Sequence, residues 1–164
     1  AQCLVGSEMC IRDRSEDMST TANVFRLAAR ELEAEDRIHV IDSENLSTGI
    51  GHLVVEAAVM AGEGMSAYDI EKNILELRPR VRASFVVDTL TYLHRGGRCS
   101  GLAAMAGGVL KLHPRIEVNN GKMNPGKKYR GRMKNVVLDY VKDMEEDLKK
   151  AKKDRVFILS LIHI

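Results

Sequence analysis

No apolar run in this chain approaches the roughly 18 residues that a membrane-spanning helix needs, since charges and glycines interrupt even the stretch from Gly49 to Met65. No stable membrane insertion is expected. Cysteine is scarce: Cys3 and Cys10 stand near the start and Cys99 stands alone, which suits a reducing cytoplasm and gives no pair for zinc. His39, His52, His94 and His113 show no metal-ligand spacing either, so no metal site is expected. Tryptophan is absent and aromatic residues make up 4% of the chain, a poor supply for a module that stacks nucleic-acid bases. The net charge of +2 is too small to imply a nucleic-acid or membrane partner by itself. Neither a Gly-x-Ser-x-Gly nucleophile elbow nor a Gly-x-x-x-x-Gly-Lys-Ser/Thr phosphate loop occurs. What is present is ordinary for a soluble globular protein: 164 residues, 45% apolar and 29% charged, enough for one domain or two small ones.

Hydrophobic spacing predicts the elements. Ser19 can cap a helix reaching about Glu33, with Val24, Leu27, Ala28 and Leu32 on a face that needs burial. Arg37 to Ile41 reads as a strand with Asp42-Ser43 at its carboxyl end, where parallel α/β sheets present ligand groups. A helix from Gly49 to about Ala61 follows, carrying Ile50, Leu53, Val54, Ala57, Ala58 and Ala61 on a broad apolar face. Ser66 and Asp69 form a capping box for a helix bearing Ile70, Ile74 and Leu77, which Pro79 ends. Ala83 to Val87 is a strand, Leu102 to Lys111 a small-residue helix, and His113 to Val118 a strand entering a hairpin at Asn119-Asn120-Gly121-Lys122. Arg132 to about Lys153 reads as one amphipathic helix with Val136, Val137, Tyr140, Val141, Met144 and Leu148 on one face, and Val156 to Ile158 as a last strand.

Both ends look foreign to this pattern. Cys3 to Arg14 resembles the recurrent translation of a sequencing adapter, and Leu159 to Ile164 resembles another. Residues 15–158 are therefore expected to carry the fold, with 1–14 and 159–164 making few native contacts.

The run Val87-Asp88-Thr89-Leu90-Thr91-Tyr92-Leu93-His94-Arg95, closed by Gly96-Gly97-Arg98 and continued by Cys99-Ser100, resembles the signature of the DegV family of fatty-acid-binding proteins. That signature is an apolar strand, Asp-Thr-Leu, two residues, Leu, two residues, Gly-Gly-Arg and a small polar residue. The resemblance covers most of residues 15–158. It implies an α/β fold in which a parallel α/β part, here 15–81, precedes an α/β part with largely antiparallel strands, here 82–158, with lipid held between them. The family presents the fatty-acid carboxyl group to a separate fatty acid kinase, so a carrier rather than an enzyme is implied, cytoplasmic and without a cofactor of its own. The family's amino-terminal strand with its Thr-Ser-Gln-Pro-like loop is missing here. So is its carboxyl-terminal segment with a histidine near Gly-Pro-Gly. A fragment is therefore expected.

Site residues follow from the same resemblance. Ser19-Thr20-Thr21 stands where the family has Ser-Gly-Thr opening a helix that helps hold the carboxylate; hydroxyls donate to an anion, and a helix start favours negative charge. Plain N-capping fits the same residues, and Thr20 replaces a glycine that tolerates positive φ. Asp42-Ser43, followed by Ser47-Thr48-Gly49-Ile50-Gly51, resembles the family's Asp-Ser motif and glycine-containing helix entry. These are also standard turn residues, and a dinucleotide fingerprint is spoiled by Val54 at its third glycine position. Arg98 can offer a planar fork to a carboxylate, a phosphate or a partner, or lock its own turn by an ion pair. Arg130 belongs to a basic stretch with Lys122, Lys127, Lys128, Arg132 and Lys134 that resembles the family's loop and basic helix entry, and it is read as a partner or head-group contact. The stretch reads as a solvated loop or docking surface rather than a nucleic-acid site. The alternatives are a small-molecule phosphotransferase with an unrecognised site and a basic nucleic-acid-binding adaptor using residues 122–134.

Overall fold

The structure is a computed structural model describing residues 2–5, 8–13, 15–97 and 112–159. It divides into two compact units. Unit 1 comprises residues 1–83 with 118–122, and unit 2 comprises 84–117 with 123–164.

Unit 1 is built on a three-stranded sheet in the order β1-β2-β3. β1 (Gln2–Val5) pairs antiparallel with β2 (Glu8–Asp13), and β2 pairs parallel with β3 (Ile38–Asp42) in the register Met9↔Ile38 through Asp13↔Asp42. The expectation that residues 1–14 make few native contacts is thus corrected for residues 2–5 and 8–13. Their backbones supply an edge and the middle of the sheet, because the β3 backbone groups find their ladder partners there.

Three helices accompany the sheet: α1 (Thr21–Glu31), α2 (Thr48–Gly62) and α3 (Ala67–Leu77), the last tightening into a 3₁₀ turn at Arg78–Arg80 that carries Pro79. The Ser66 hydroxyl accepts the Asp69 N–H at 3.2 Å and donates to the Asp69 carboxylate at 2.6 Å, the cap the spacing predicts. Ile41 of β3, Leu53 and Ala57 of α2, and Ile70 and Ile74 of α3 form one buried cluster, flanked by Met60, Met65, Leu77 and Val81. α3 is also pinned to β3 by the His39–Glu71 pair at 2.7 Å.

α1 corrects the sequence reading. Val24, Leu27 and Leu32 are 59%, 57% and 70% exposed, and the helix buries Ala22 and Ala29 instead. These lie seven residues apart on one face, and their small side chains let the helix backbone lie close to its neighbours.

Unit 2 carries most of the sheet β4-β5-β6, of which residues 83, 118, 119 and 122 are counted in unit 1. β4 is Ala83–Val86, β5 Leu112–Asn119 and β6 Lys122–Arg130; α4 (Thr91–Arg95), α5 (Met133–Asp143) and α6 (Glu145–Lys150) complete it. β5 and β6 meet through Asn120-Gly121, both with positive φ (50° and 76°), the two-residue turn whose twist suits a hairpin. Among the described residues, Leu90 and Ile116 form a buried cluster here, with Phe85, Val87, Leu93 and Met123 around them.

Three expectations fail in this unit. Residues 122–130 form a strand rather than a solvated loop, because pairing with β5 overrides the weak strand propensity of Lys, Gly and Pro. The long helix breaks at Met144 and ends at Lys150, and Val137, Val141 and Leu148 of its apolar face are exposed. Val156 to Ile158 forms no strand, Ile158 being 93% exposed. The expected helix at 102–111 lies outside the described residues.

Candidate functional site

In unit 1 the carboxyl end of β3 and the approach to α1 are stitched together. The Asp42 carboxylate accepts the Glu44 N–H at 2.9 Å and the Glu16 N–H at 3.3 Å, while the Ser15 N–H donates to the Asn45 carbonyl at 3.0 Å. Ser43 is fully buried; its hydroxyl accepts the Asn45 N–H at 3.2 Å and donates to the Asn45 carbonyl at 3.4 Å. Both residues therefore build the turn, which is the plainer of the two roles the sequence offers them. Asn45 is buried as well, donating to the Val81 carbonyl at 3.4 Å and accepting the Leu46 N–H at 3.1 Å. A Cβ on Gly49 would collide with the Asn45 side chain, so this glycine is required by close approach.

The start of α1 sits next in the chain, held by the Ser19 N–H donating to the Ser15 carbonyl at 3.0 Å. The Ser19 and Thr21 hydroxyls share a hydrogen at 2.8 Å, and the Thr21 N–H donates to the Ser19 oxygen at 3.4 Å. The helix begins at Thr21 with Thr20 as N-cap, correcting the expectation that Ser19 caps it, and the cap makes no side-chain bond. Thr20 has φ −83°, which any residue adopts, so threonine in place of the family's glycine carries no backbone strain. No acidic residue occupies the first turn, and the positive end of the helix is left uncompensated by its own side chains.

Arg78 is a site neighbour that sequence reasoning missed. From the end of α3 it donates to the Asp42 carbonyl at 3.0 Å and pairs with Glu44 at 2.9 Å, bracing the turn from below. No local motif marks it; its partners lie more than thirty residues upstream in the chain.

Unit 2 repeats the hydroxyl arrangement at the opening of α4. Thr89 and Thr91 share a hydrogen at 2.9 Å, and the Thr91 N–H donates to the Thr89 oxygen at 3.3 Å. The Gly96 N–H bonds the Tyr92 carbonyl at 2.9 Å and Gly97 has φ 66°, so the glycine pair ends the helix by a left-handed residue. Arg98 and Cys99 lie outside the described residues. Arg130 is exposed at the end of β6 and is followed by Gly131 at φ 113°.

A model of the family described as "Uncharacterised protein, DegV family" matches residues 13–162. The chain belongs to the DegV family. It is 39% identical over 117 residues to a DegV domain-containing protein of Caldanaerobacter subterraneus subsp. tengcongensis, an alignment covering 70% of this chain and 42% of the relative. Among solved structures it resembles a DegV family protein from Thermus thermophilus described for its fatty-acid binding, at TM-score 0.70 and 30% identity over 81% of this chain and 46% of that one. It also resembles a stearic-acid-binding protein from Eubacterium ventriosum, at TM-score 0.70 and 28% identity over 86% and 50% respectively. The chain thus spans about half the length of its DegV relatives.

A second set of polar contacts in this DegV chain joins β4 and β6 to α5. The Tyr129 hydroxyl donates to Asp143 at 2.7 Å, Lys127 pairs with the same carboxylate at 2.6 Å, and the Tyr140 hydroxyl donates to the Ser84 carbonyl at 2.9 Å. Tyr129 and Tyr140 meet edge to face, with Arg115 over the Tyr140 ring. Burial, with the Asp143 hydrogen bond second, pushes the Tyr129 phenol up from 10.0 to about 12. The Lys127 and Tyr129 hydrogen bonds hold the Asp143 carboxyl below its ordinary value. Two cations of the basic stretch are thereby occupied, Lys127 by Asp143 and Lys122 by Asp17 at 3.7 Å, while Lys128, Arg130, Arg132 and Lys134 are exposed. Among the described residues no cluster of three His, Cys, Asp or Glu could hold a metal, and no helix is long and apolar enough to cross a membrane.

Proposed function

We propose that this DegV chain serves a cytoplasmic fatty-acid carrier that binds a long acyl chain and presents its carboxylate to a fatty acid kinase. The observation that carries this reading is the likeness to DegV structures described as binding fatty acid, at 28% and 30% identity. The local chemistry agrees. Ser19 and Thr21 hold two hydroxyls 2.8 Å apart at a helix start with no acidic residue in its first turn, and hydroxyls there are of the chemistry that donates to a carboxylate. Thr20 lies between them, and Asp42 and Ser43 hold the adjoining turn in place. Arg98 and Arg130 are assigned to the head group or to the kinase. Withdrawal of an alkyl chain from water supplies about 0.8 kcal/mol per methylene, so affinity comes from the tail and orientation from the hydroxyls. ATP and its metal belong to the kinase.

The test is native mass spectrometry after mild extraction, followed by oleate titration of wild type and the Ser19→Ala, Thr21→Ala double variant. A co-purified acyl mass and a loss of about tenfold in the double variant are expected, the scale of one hydrogen bond to a charged group. A co-purified nucleotide, or salt-sensitive retention on an oligonucleotide, would instead favour a phosphotransferase or an adaptor.

A further inference from the structure

His113 of β5 is 4% exposed, and both its ring nitrogens face backbone carbonyls. Nδ1 lies 3.1 Å from the Val87 oxygen and Nε2 3.2 Å from the Gly131 oxygen. The charged group facing the ring among the described residues is the Asp88 carboxylate, 3.9 Å from Nδ1. A carbonyl can only accept, so each contact requires a hydrogen on the ring. A neutral imidazole carries one such hydrogen and serves one carbonyl at a time, so the ring stands between two acceptors that it can hold.

The two carbonyls belong to segments that are distant in sequence. Val87-Asp88 is the entry to the DegV signature, and Gly131 directly follows Arg130. Gly131, at φ 113°, gives the joint between β6 and α5 no stiffness of its own. We propose that His113 is a positioning residue, whose ring, set between these two carbonyls, fixes the signature entry and the Arg130-Gly131 joint in one geometry within unit 2. The role assigned to that geometry rests on the reading of Arg130 as a head-group or partner contact; the clasp itself does not.

The experiment looks by ¹⁵N NMR in the full chain for couplings across hydrogen bonds from the His113 ring nitrogens to the Val87 and Gly131 carbonyl carbons. Couplings to both carbonyls are expected, and a ring coupled to one or neither would overturn the clasp. Oleate affinity is then compared for wild type, His113→Phe and His113→Gln, with thermal melting as the check on folding. The phenylalanine variant is expected to bind about tenfold more weakly, and glutamine, which returns a donor for one carbonyl, to recover part of the loss. A folded His113→Phe that binds like wild type overturns the positioning role. Wild type that binds no oleate removes the carrier reading and leaves the clasp to the NMR result, which also decides it if the phenylalanine variant fails to fold.

Discussion

In unit 1 five buried apolar side chains from three elements, Ile41, Leu53, Ala57, Ile70 and Ile74, meet in one cluster, whereas among the described residues of unit 2 the buried cluster is Leu90 with Ile116. The described part of unit 2 adds hydroxyls and charges: Tyr129 and Lys127 on Asp143, and Tyr140 on Ser84. The difference teaches where each unit is vulnerable. Apolar burial is large and indifferent to pH, while hydrogen bonds contribute about 1 kcal/mol each and follow the protonation of their partners.

The largest effect should come from unit 1. Ile74→Ala empties a fully buried position among Ile41, Leu53 and Ile70 and is expected to cost about 2–5 kcal/mol in urea unfolding. A cost below about 1 kcal/mol would put the site outside that range and break the contrast with unit 2. Gly49→Ala comes next. Gly49 stands in the first turn of α2, where alanine gains less than the roughly 1 kcal/mol of a helix interior, and its Cβ meets the Asn45 side chain, so a net loss of about 1–2 kcal/mol is expected. A stabilised variant would show that Asn45 is not fixed by its bonds to Leu46 and Val81.

Smaller effects belong to unit 2. Tyr140→Phe removes the donor to the Ser84 carbonyl and should cost about 1 kcal/mol by the same assay. The smallest are the pH limbs. Because the Tyr129 phenol is raised, its contribution is fully present below the unfolded value of 10.0 and is lost as pH rises toward about 12. Because the Asp143 carboxyl is lowered, its contribution is present above the ordinary carboxylate value and is lost as pH falls below it. Tyr129→Phe should flatten the alkaline limb and Asp143→Asn the acid limb of a melting-temperature profile. An acid limb unchanged in Asp143→Asn would mean that other carboxylates set it.

The sequence was most readable where periodicity, caps and burial agree. α2, α3 and β3 stand close to their expected places because Ser66, Asp69 and Pro79 punctuate them and their apolar stripes face one core. α1 misled because its strongest stripe is exposed and two alanines make the contact, a pattern with little hydrophobic contrast. β6 was hidden by composition: Lys, Asn, Pro and Gly predict a loop, and only pairing with β5 makes it a strand. At the candidate site, Ser19 to Thr21 and Asp42-Ser43 were legible as motifs. Arg78 and His113 were not legible in their observed roles, since these depend on backbone carbonyls 36, 26 and 18 residues away. A side chain that serves distant backbone leaves no local signature.

The two-residue turn at Asn120-Gly121 acts as a ruler for whatever β6 displays. Along a strand, side chains alternate between faces, so this count places Tyr129 inward, 5% exposed, and Arg130 outward. Substitutions can alter the letters of the strand one at a time, but the loss or gain of a single residue at the turn would shift β6 by one place and exchange the two faces. The arginine would be driven into the interior and the tyrosine into water. The length of this hairpin therefore constrains what β6 displays more tightly than any single side chain in it does.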